Sequence, residues 1–230
     1  MKEYIWKLPV LGPLTRSIYR NLTSRLKPFR GSKQYWMERY KSGGNSGPGS
    51  YNKLAEFKAQ VLNNFVVMNN IKTVIEYGCG DGNQLRLSNY PSYLGFDISA
   101  SAISRCQNIF SEDQSKIFKL LEDYQGETAE LTLSLDVIYH LVEDDVFHEH
   151  MKRLFDSSKT FVIIYSSNTD DQSYYYYHQA AHIRNRMFSN WIAEQRPLWR
   201  LHQSIPNRYP FKANPVEGSW ADFYIYKKTG

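Results

Sequence analysis

Cysteine is scarce in this 230-residue chain, with Cys79 and Cys106 as the only two. That excludes a disulfide framework and a cysteine-rich zinc site, and it suits a reducing compartment. Long apolar runs are missing too, so no segment is expected to span a bilayer. A cleaved leader is not expected: Pro9, Gly12 and Pro13 interrupt any apolar stretch near the N-terminus, and Arg16 follows at once. Metal-ligand spacing is lacking as well. His178 and His182 stand one helical turn apart, but no Glu or Cys at ligand spacing accompanies them, so no metal is expected.

What is present is an ordinary globular composition with an uneven charge. Hydrophobic residues make up 42% and charged residues 22%, which excludes wholesale disorder. The length suits one decorated domain. Lys and Arg number 28 against 23 Asp and Glu, yet residues 1–41 hold ten of the basic and only two of the acidic side chains. The rest is mildly acidic, and a surface that grips nucleic acid is therefore not expected there.

Residues 1–50 read as a basic arm followed by a glycine-rich lid. Within 1–30, Leu14, Ile18, Leu22 and Leu26 fall on one helical face, Arg16 and Arg20 point away, and Arg25 lies inside the apolar arc. Such a helix either packs on the domain or a partner, or makes peripheral contact with an anionic membrane surface, with Trp6 and Tyr19 at headgroup level. Residues 43–50 hold four glycines in eight positions and form a loop, flanked by Tyr35, Trp36, Tyr40 and Tyr51. Tyr40 and Tyr51 are candidate contacts for a flat ligand.

Residues 51–230 are expected to form the main domain. An amphipathic helix over 52–70 carries Leu54, Phe57, Val61, Leu62, Phe65 and Val66 on its apolar side. Strand-like runs at 73–77, 93–96, 117–120, 131–135 and 161–165 then alternate with helical stretches at about 101–110 and 146–154. That alternation implies a parallel sheet covered on both faces. A final strand is expected at 222–226.

The sharpest local feature is Glu76-Tyr77-Gly78-Cys79-Gly80-Asp81-Gly82, an apolar strand running into three alternate glycines. A helix is expected from Asn83, and Asp97 closes the next strand, 19 residues after Gly78. A dinucleotide fold spaces its glycines Gly-x-Gly-x-x-Gly to receive a pyrophosphate. Here the spacing is Gly-x-Gly-x-Gly, and Glu76 would repel phosphate. The ligand this suits is a nucleoside that carries an amino acid and no phosphate.

These residues, with Gly95-Phe96-Asp97-Ile98-Ser99 and Leu133-Ser134-Leu135-Asp136-Val137-Ile138-Tyr139-His140-Leu141, resemble the class I S-adenosylmethionine-dependent methyltransferases over roughly residues 52–167. The resemblance implies an α/β fold of three layers, a Rossmann-like seven-strand sheet, mostly parallel with an antiparallel last strand. It implies S-adenosyl-L-methionine as cofactor, with Gly78, Cys79 and Gly80 beside the methionine part; Glu76, by its charge, suits an ammonium or a sulfonium, directly or through water. Asp97 would hold the ribose, Ile98 would lie beside the adenine, and Glu122 or Asp123 would meet the adenine amino group. Leu135 and Asp136 would line the sulfonium end.

Between the fifth and last strands, about residues 168–220 form an insert dense in Tyr, His, Arg and Trp, expected to be a helical cap over the acceptor. Asn168, Arg184 and Arg186 are candidate acceptor contacts, and Tyr174 to Tyr177, Trp191 and Trp199 candidate stacking faces. An alcohol acceptor needs a base, and histidine is the usual one. His140, just past the fourth strand, ranks first and His182 second, with Asp170 as a possible orienting carboxylate. His148 and His150 read as solvated. The expected function is O-methylation of a small molecule or of a saccharide on a lipid or surface glycan, in the cytoplasm. Methylation of RNA or protein is the alternative, though no Asn-Pro-Pro-Tyr-like tetrapeptide is present; a non-catalytic cofactor-binding scaffold is another. Nothing in the sequence bears on oligomeric state.

Overall fold

Successive side chains of a strand point to opposite faces of its sheet, so a strand buried on both sides must be apolar at consecutive positions. The strand β5 (Ser158–Ser166) shows this: Phe161, Ile163 and Tyr165 join one apolar cluster, Val162 and Ile164 the other. The computed structural model describes residues 28–172, 180–212 and 215–229. The apolar face expected at Leu14 to Leu26 and the tyrosine run 174–177 with His178 lie outside the described residues. The chain divides after Arg30, and the unit Gly31–Gly230 is the subject below, so residues 31–50 belong with the sheet.

In chain order the unit contains α1 (Ser32–Lys41), α2 (Asn52–Met68), β1 (Thr73–Tyr77), β2 (Ser92–Asp97), α3 (Ala100–Ile109), β3 (Lys116–Leu120) and β4 (Ala129–Leu135). It continues with α4 (Asp144–Asp156), β5, α5 (Phe188–Gln195), β6 (Trp199–Ile205) and β7 (Asp222–Lys228). The seven strands lie in the order β3-β2-β1-β4-β5-β7-β6, parallel from β3 to β5, with β7 antiparallel to both its neighbours. Helices α2 and α3 cover one face, where Phe57, Leu62, Phe65, Ile103 and Cys106 meet Val74, Leu131, Leu133 and Ile163. Helices α4 and α5 cover the other through Phe147, Met151, Leu154, Phe155, Phe188 and Ile192. This is the three-layer, mostly parallel sheet with an antiparallel last strand that the sequence implies.

Three expectations are corrected. No α-helix follows the glycine turn; a short 3-10 turn at Leu85–Leu87 stands there, because Pro91 forces Tyr90 out of helical conformation and β2 begins at Ser92. Among its described residues the insert holds one α-helix and a strand, β6, where a helical cap is expected. His150 is buried rather than solvated: its ring nitrogen lies 2.9 Å from Ser134 Oγ, and burial pulls its pKa down to about 4. Among the described residues, no helix is long and apolar enough to cross a membrane.

Candidate functional site

Because β1, β2 and β4 are adjacent and parallel, their carboxyl ends bring the glycine turn, Asp97 and residues 136–140 to one edge of the sheet. The turn is built from backbone first. Gly78 and Cys79 donate their N–H groups to Phe96 O at 2.7 and 3.1 Å, fixing the turn against the end of β2. Gly78 has φ 87° and Gly80 φ 60°, conformations that a Cβ disfavours. At Gly80 a Cβ would also collide with Ser46 Oγ and stand 2.9 Å from the Tyr40 hydroxyl. Cys79 packs inside the turn; the neighbouring Cys106 thiol and burial push its own thiol up, so it is an inert group.

The glycine-rich segment lies against this turn. Ser46 N donates to Asp81 Oδ2 at 2.9 Å, Asp81 N donates back to Ser46 Oγ at 3.1 Å, and the Tyr51 hydroxyl reaches Asp81 Oδ2 at 2.8 Å. Burial alone would raise Asp81, but these hydrogen bonds hold it below the usual carboxylate range. Arg105 on α3 binds Gly44 O and Tyr40 O at 2.6 and 2.7 Å. Tyr40 and Tyr51 therefore stand against the glycine turn, with their hydroxyls on Ser46 and Asp81. Ser46, Asp81 and Arg105 were not among the expected site residues; the Gly-Asn-Ser-Gly composition of the loop shows that it turns, not where it docks.

Asp97 ends β2 with both carboxylate oxygens engaged: Oδ2 accepts from Gly80 N at 3.0 Å and Oδ1 from Ser99 N at 2.9 Å. Burial nevertheless pushes its pKa up to about 6. Ile98 follows, half-buried, and Glu122 and Asp123 are exposed directly beyond the end of β3, beside β2. Glu76 is buried under the turn, accepts the Tyr93 hydroxyl at 2.7 Å, and is pushed up to about 7 by burial, against that bond and the nearby Lys58 charge. A carboxyl raised from 4.5 to about 7 makes the folded state bind the extra proton between those values, so stability falls as pH rises through that window and the full cost stands above it. Glu76→Gln is therefore expected to stabilise the ligand-free protein by about 3 kcal/mol at pH 8 and by little at pH 4, read from urea unfolding at both values. A loss of stability at pH 8 would contradict the assignment.

Across β1 from Asp97, Leu135 is buried at the end of β4 and Asp136 follows it with φ 59°, held there by its N–H bond to Tyr165 O at 2.8 Å. A non-glycine residue in this left-handed region stores strain that commonly marks a functional turn. Its carboxylate accepts from Lys58 Nζ at 2.6 Å and the Tyr139 hydroxyl at 2.8 Å. Lys58 is fully buried on α2 and escaped the sequence analysis, though the signal existed: position 58 lies one turn from both Leu54 and Leu62, on the apolar face.

His140 donates Nδ1–H to His182 O at 3.0 Å, since a carbonyl can only accept. That fixes the tautomer and leaves Nε2 with its lone pair. Around the ring stand Trp36 at 4.8 Å, Tyr139 at 4.5 Å and the His182 ring at 5.5 Å between centroids, and Tyr35 stacks on His182 at 4.1 Å. Burial pulls His140 down to about 3, and His182 to about 4, so both imidazoles are neutral near pH 7. The structure thus brings the two expected histidines together with the aromatic residues of α1.

Other expected acceptor residues are engaged elsewhere. Arg186 is buried, binds Leu141 O and Val142 O at 3.0 and 2.8 Å, and pairs with Asp144 at 2.6 Å. Arg184 binds Val142 O at 2.9 Å and Asp144 at 3.0 Å. Both arginines tie the insert to the chain after β4 rather than presenting a fork to an anion. Asn168 Oδ1 accepts from Ser189 N and Asp170 Oδ1 from Met187 N, at the start of α5 rather than beside a histidine. Trp191 and Trp199 pack on Phe155 of α4, as core. Among the described residues no group of His, Cys, Asp or Glu is arranged to hold a metal ion.

Residues 69–209 match a family described as a methyltransferase domain. The fold is similar to that of NodS, an N-methyltransferase from Bradyrhizobium japonicum WM9 solved with S-adenosyl-L-homocysteine, at TM-score 0.66 and 12% identity over 86% of this chain and 98% of that one. It is also similar to magnesium protoporphyrin IX methyltransferase from Synechocystis PCC 6803, solved with the same compound, at TM-score 0.62 and 11% identity, covering 86% and 98%. A putative O-methyltransferase from Klebsiella pneumoniae gives TM-score 0.58 and 15% identity over 93% and 97%. No curated protein matches in sequence.

Proposed function

Since the chain belongs to the methyltransferase-domain family, we propose that it is an S-adenosylmethionine-dependent enzyme that methylates a hydroxyl of a small molecule or of a saccharide. The observation that carries the choice of a hydroxyl is His140: a neutral imidazole beyond β4, its Nδ1 committed to a carbonyl and its Nε2 lone pair uncommitted by the tautomer.

The residues present suit the donor. A turn of glycines lets backbone approach closely, and Asp97 offers acceptor lone pairs for ribose hydroxyls while its own N–H partners keep it oriented. Glu76 beneath the turn favours a cationic amino-acid end over a phosphate. When bound, S-adenosylmethionine supplies a methyl group already activated by positive sulfur. The protein's own work is then to align the acceptor oxygen and keep water out. His140 Nε2 accepts the hydrogen bond of that hydroxyl, which aims an oxygen lone pair; as a weak base held down to about 3 by burial, it takes the proton only once the new bond has put positive charge on that oxygen and made it strongly acidic. The rings of Trp36 and Tyr139 around it, with Tyr35 on the neighbouring His182, supply flat apolar walls of the kind that stack on sugar faces.

Residues 1–30, rich in Lys and Arg, would bring the enzyme to an anionic surface that displays such an acceptor. The test is transfer of a tritiated methyl group from S-adenosylmethionine by the full chain to three extracts offered in parallel: small molecules with saccharide lipids, RNA, and protein. Label is expected in the first, more so when the lipids are presented in anionic vesicles. Label confined to RNA or protein would overturn the hydroxyl reading.

A further inference from the structure

The Lys58–Asp136 pair is an expensive feature for α2 to carry. Lys58 is 0% exposed, its ammonium is 2.6 Å from Asp136 Oδ2, and no other hydrogen bond to it is made among the described residues. The Tyr165 ring lies 5.2 Å from Nζ, and Phe57 and Leu62 of the same helix are buried nearby in sequence. Taking two charges out of water costs several kcal/mol, and an apolar residue would fill the same helix face without that cost. The pair asks for a role beyond packing.

Its place suggests one. Asp97 ends β2 and Asp136 follows β4, with β1 between them. Two strand spacings are roughly 10 Å, within the reach of a nucleoside held by its ribose at one end and carrying sulfur and an amino acid at the other. The segment 48–50 borders the same carboxylate: a Cβ at Gly49 would stand 2.7 Å from Asp136 Oδ2. With a ribose on Asp97 and the sulfur toward β4, as the methyltransferase resemblance implies, the pair would flank the sulfur on the side away from the ribose.

We propose that Lys58 is a positioning residue that, through Asp136, sets how strongly the site prefers the charged sulfonium of the methyl donor over the neutral thioether of its demethylated product. The inference rests on the donor named under Proposed function. An unpaired carboxylate beside the sulfonium would hold the donor too firmly. Its attraction fades as positive charge leaves sulfur, so it would stabilise the bound donor more than the transition state. The ammonium cancels most of that attraction, and together with the Tyr139 hydroxyl it keeps the carboxylate oriented. The result is a site that neither traps the donor nor clings to the product.

Binding alone tests this, with two probes on the full chain: S-adenosylhomocysteine, which is neutral at sulfur, and sinefungin, which carries an amine in that place. The wild type is expected to bind the two within a few-fold of each other. Lys58→Met should shift the affinity ratio toward sinefungin by about tenfold, and Asp136→Asn should shift it by about tenfold toward S-adenosylhomocysteine. Lys58→Arg should leave the ratio unchanged. Opposite shifts from the two halves of one ion pair are not what a loss of packing produces. If both variants weaken both probes equally, or leave the ratio alone, the inference is wrong while the donor reading stands. If the folded wild type binds neither probe, both fall. Should Lys58→Met fail to fold, Asp136→Asn against wild type still decides.

Discussion

Asp97→Ala is expected to weaken binding of S-adenosylhomocysteine by about 3 kcal/mol, roughly a hundredfold. The loss has two sources. A carboxylate that accepts ribose hydroxyls contributes charge-assisted hydrogen bonds, and its removal also leaves the N–H groups of Gly80 and Ser99 without their partner. Asp97→Asn should do nearly as badly, because an amide would turn its NH₂ toward one of those two donors. Wild-type affinity should itself depend on pH. Burial holds the Asp97 carboxyl near 6, and the ligand's hydroxyls favour the ionised form, so affinity should be level above about pH 7 and fall as pH drops through 6. Calorimetry at pH 5 and pH 8 reads both effects; an Asp97→Ala protein that is folded and binds like wild type would remove Asp97 from the site.

His140→Ala is the second large effect: kcat is expected to fall about 10²- to 10⁴-fold with S-adenosylhomocysteine affinity changed by less than threefold. The split follows from placement, since His140 lies beyond β4 among Trp36, Tyr139 and His182, and not on the glycine turn. His182→Ala is a useful counterpart. It keeps the backbone carbonyl that fixes the His140 tautomer and loses the ring stacked on both Tyr35 and His140, so a loss of about tenfold is expected. Methyl transfer to the acceptor fraction labelled by the wild type measures all three proteins. Equal losses at both positions would assign the proton to neither histidine in particular and favour a shared packing role.

The sequence reveals this fold where burial is two-sided. The β5 strand is a continuous apolar run from Phe161 to Tyr165 because helices cover both faces, β4 is buried as well but alternates its leucines with Thr132 and Ser134, and the glycines after β1 mark the turn from β1 into the segment before β2. The edge strand β6 is hidden for the opposite reason: Arg200, Leu201, His202, Gln203 and Ser204 are exposed, only Trp199 is buried, and no alternation betrays the strand. Gly78, Gly80 and Asp97 come together as their spacing implies, because they sit on adjacent strand ends. The residues of the insert do not. Arg184 and Arg186 look like anion binders, but their partners at Leu141, Val142 and Asp144 lie forty or more residues away in sequence, and only the folded chain joins them. Asp136 is readable from its place after β4, whereas its partner Lys58 sits in an amphipathic helix where a single lysine on the apolar side passes as noise.

The histidines show the same division. His140 is placed by its distance from β4, a local matter. Whether it is charged depends on the rings that α1 and the insert pack around it, and those come from 104 and 42 residues away at Trp36 and His182. His148 and His150 share one helix and one local composition, yet one is exposed and the other buried on Ser134, because α4 turns only one of them to the sheet.

We propose the edge formed by the glycine turn, Asp97 and Asp136 as the methyl-donor site. Isothermal titration of the full chain with S-adenosylmethionine at pH 8 tests it most directly. One molecule bound per chain, with S-adenosylhomocysteine competing for the same site and the Asp97→Ala protein binding weakly, is the predicted result. A folded wild-type chain that takes up neither compound would contradict it.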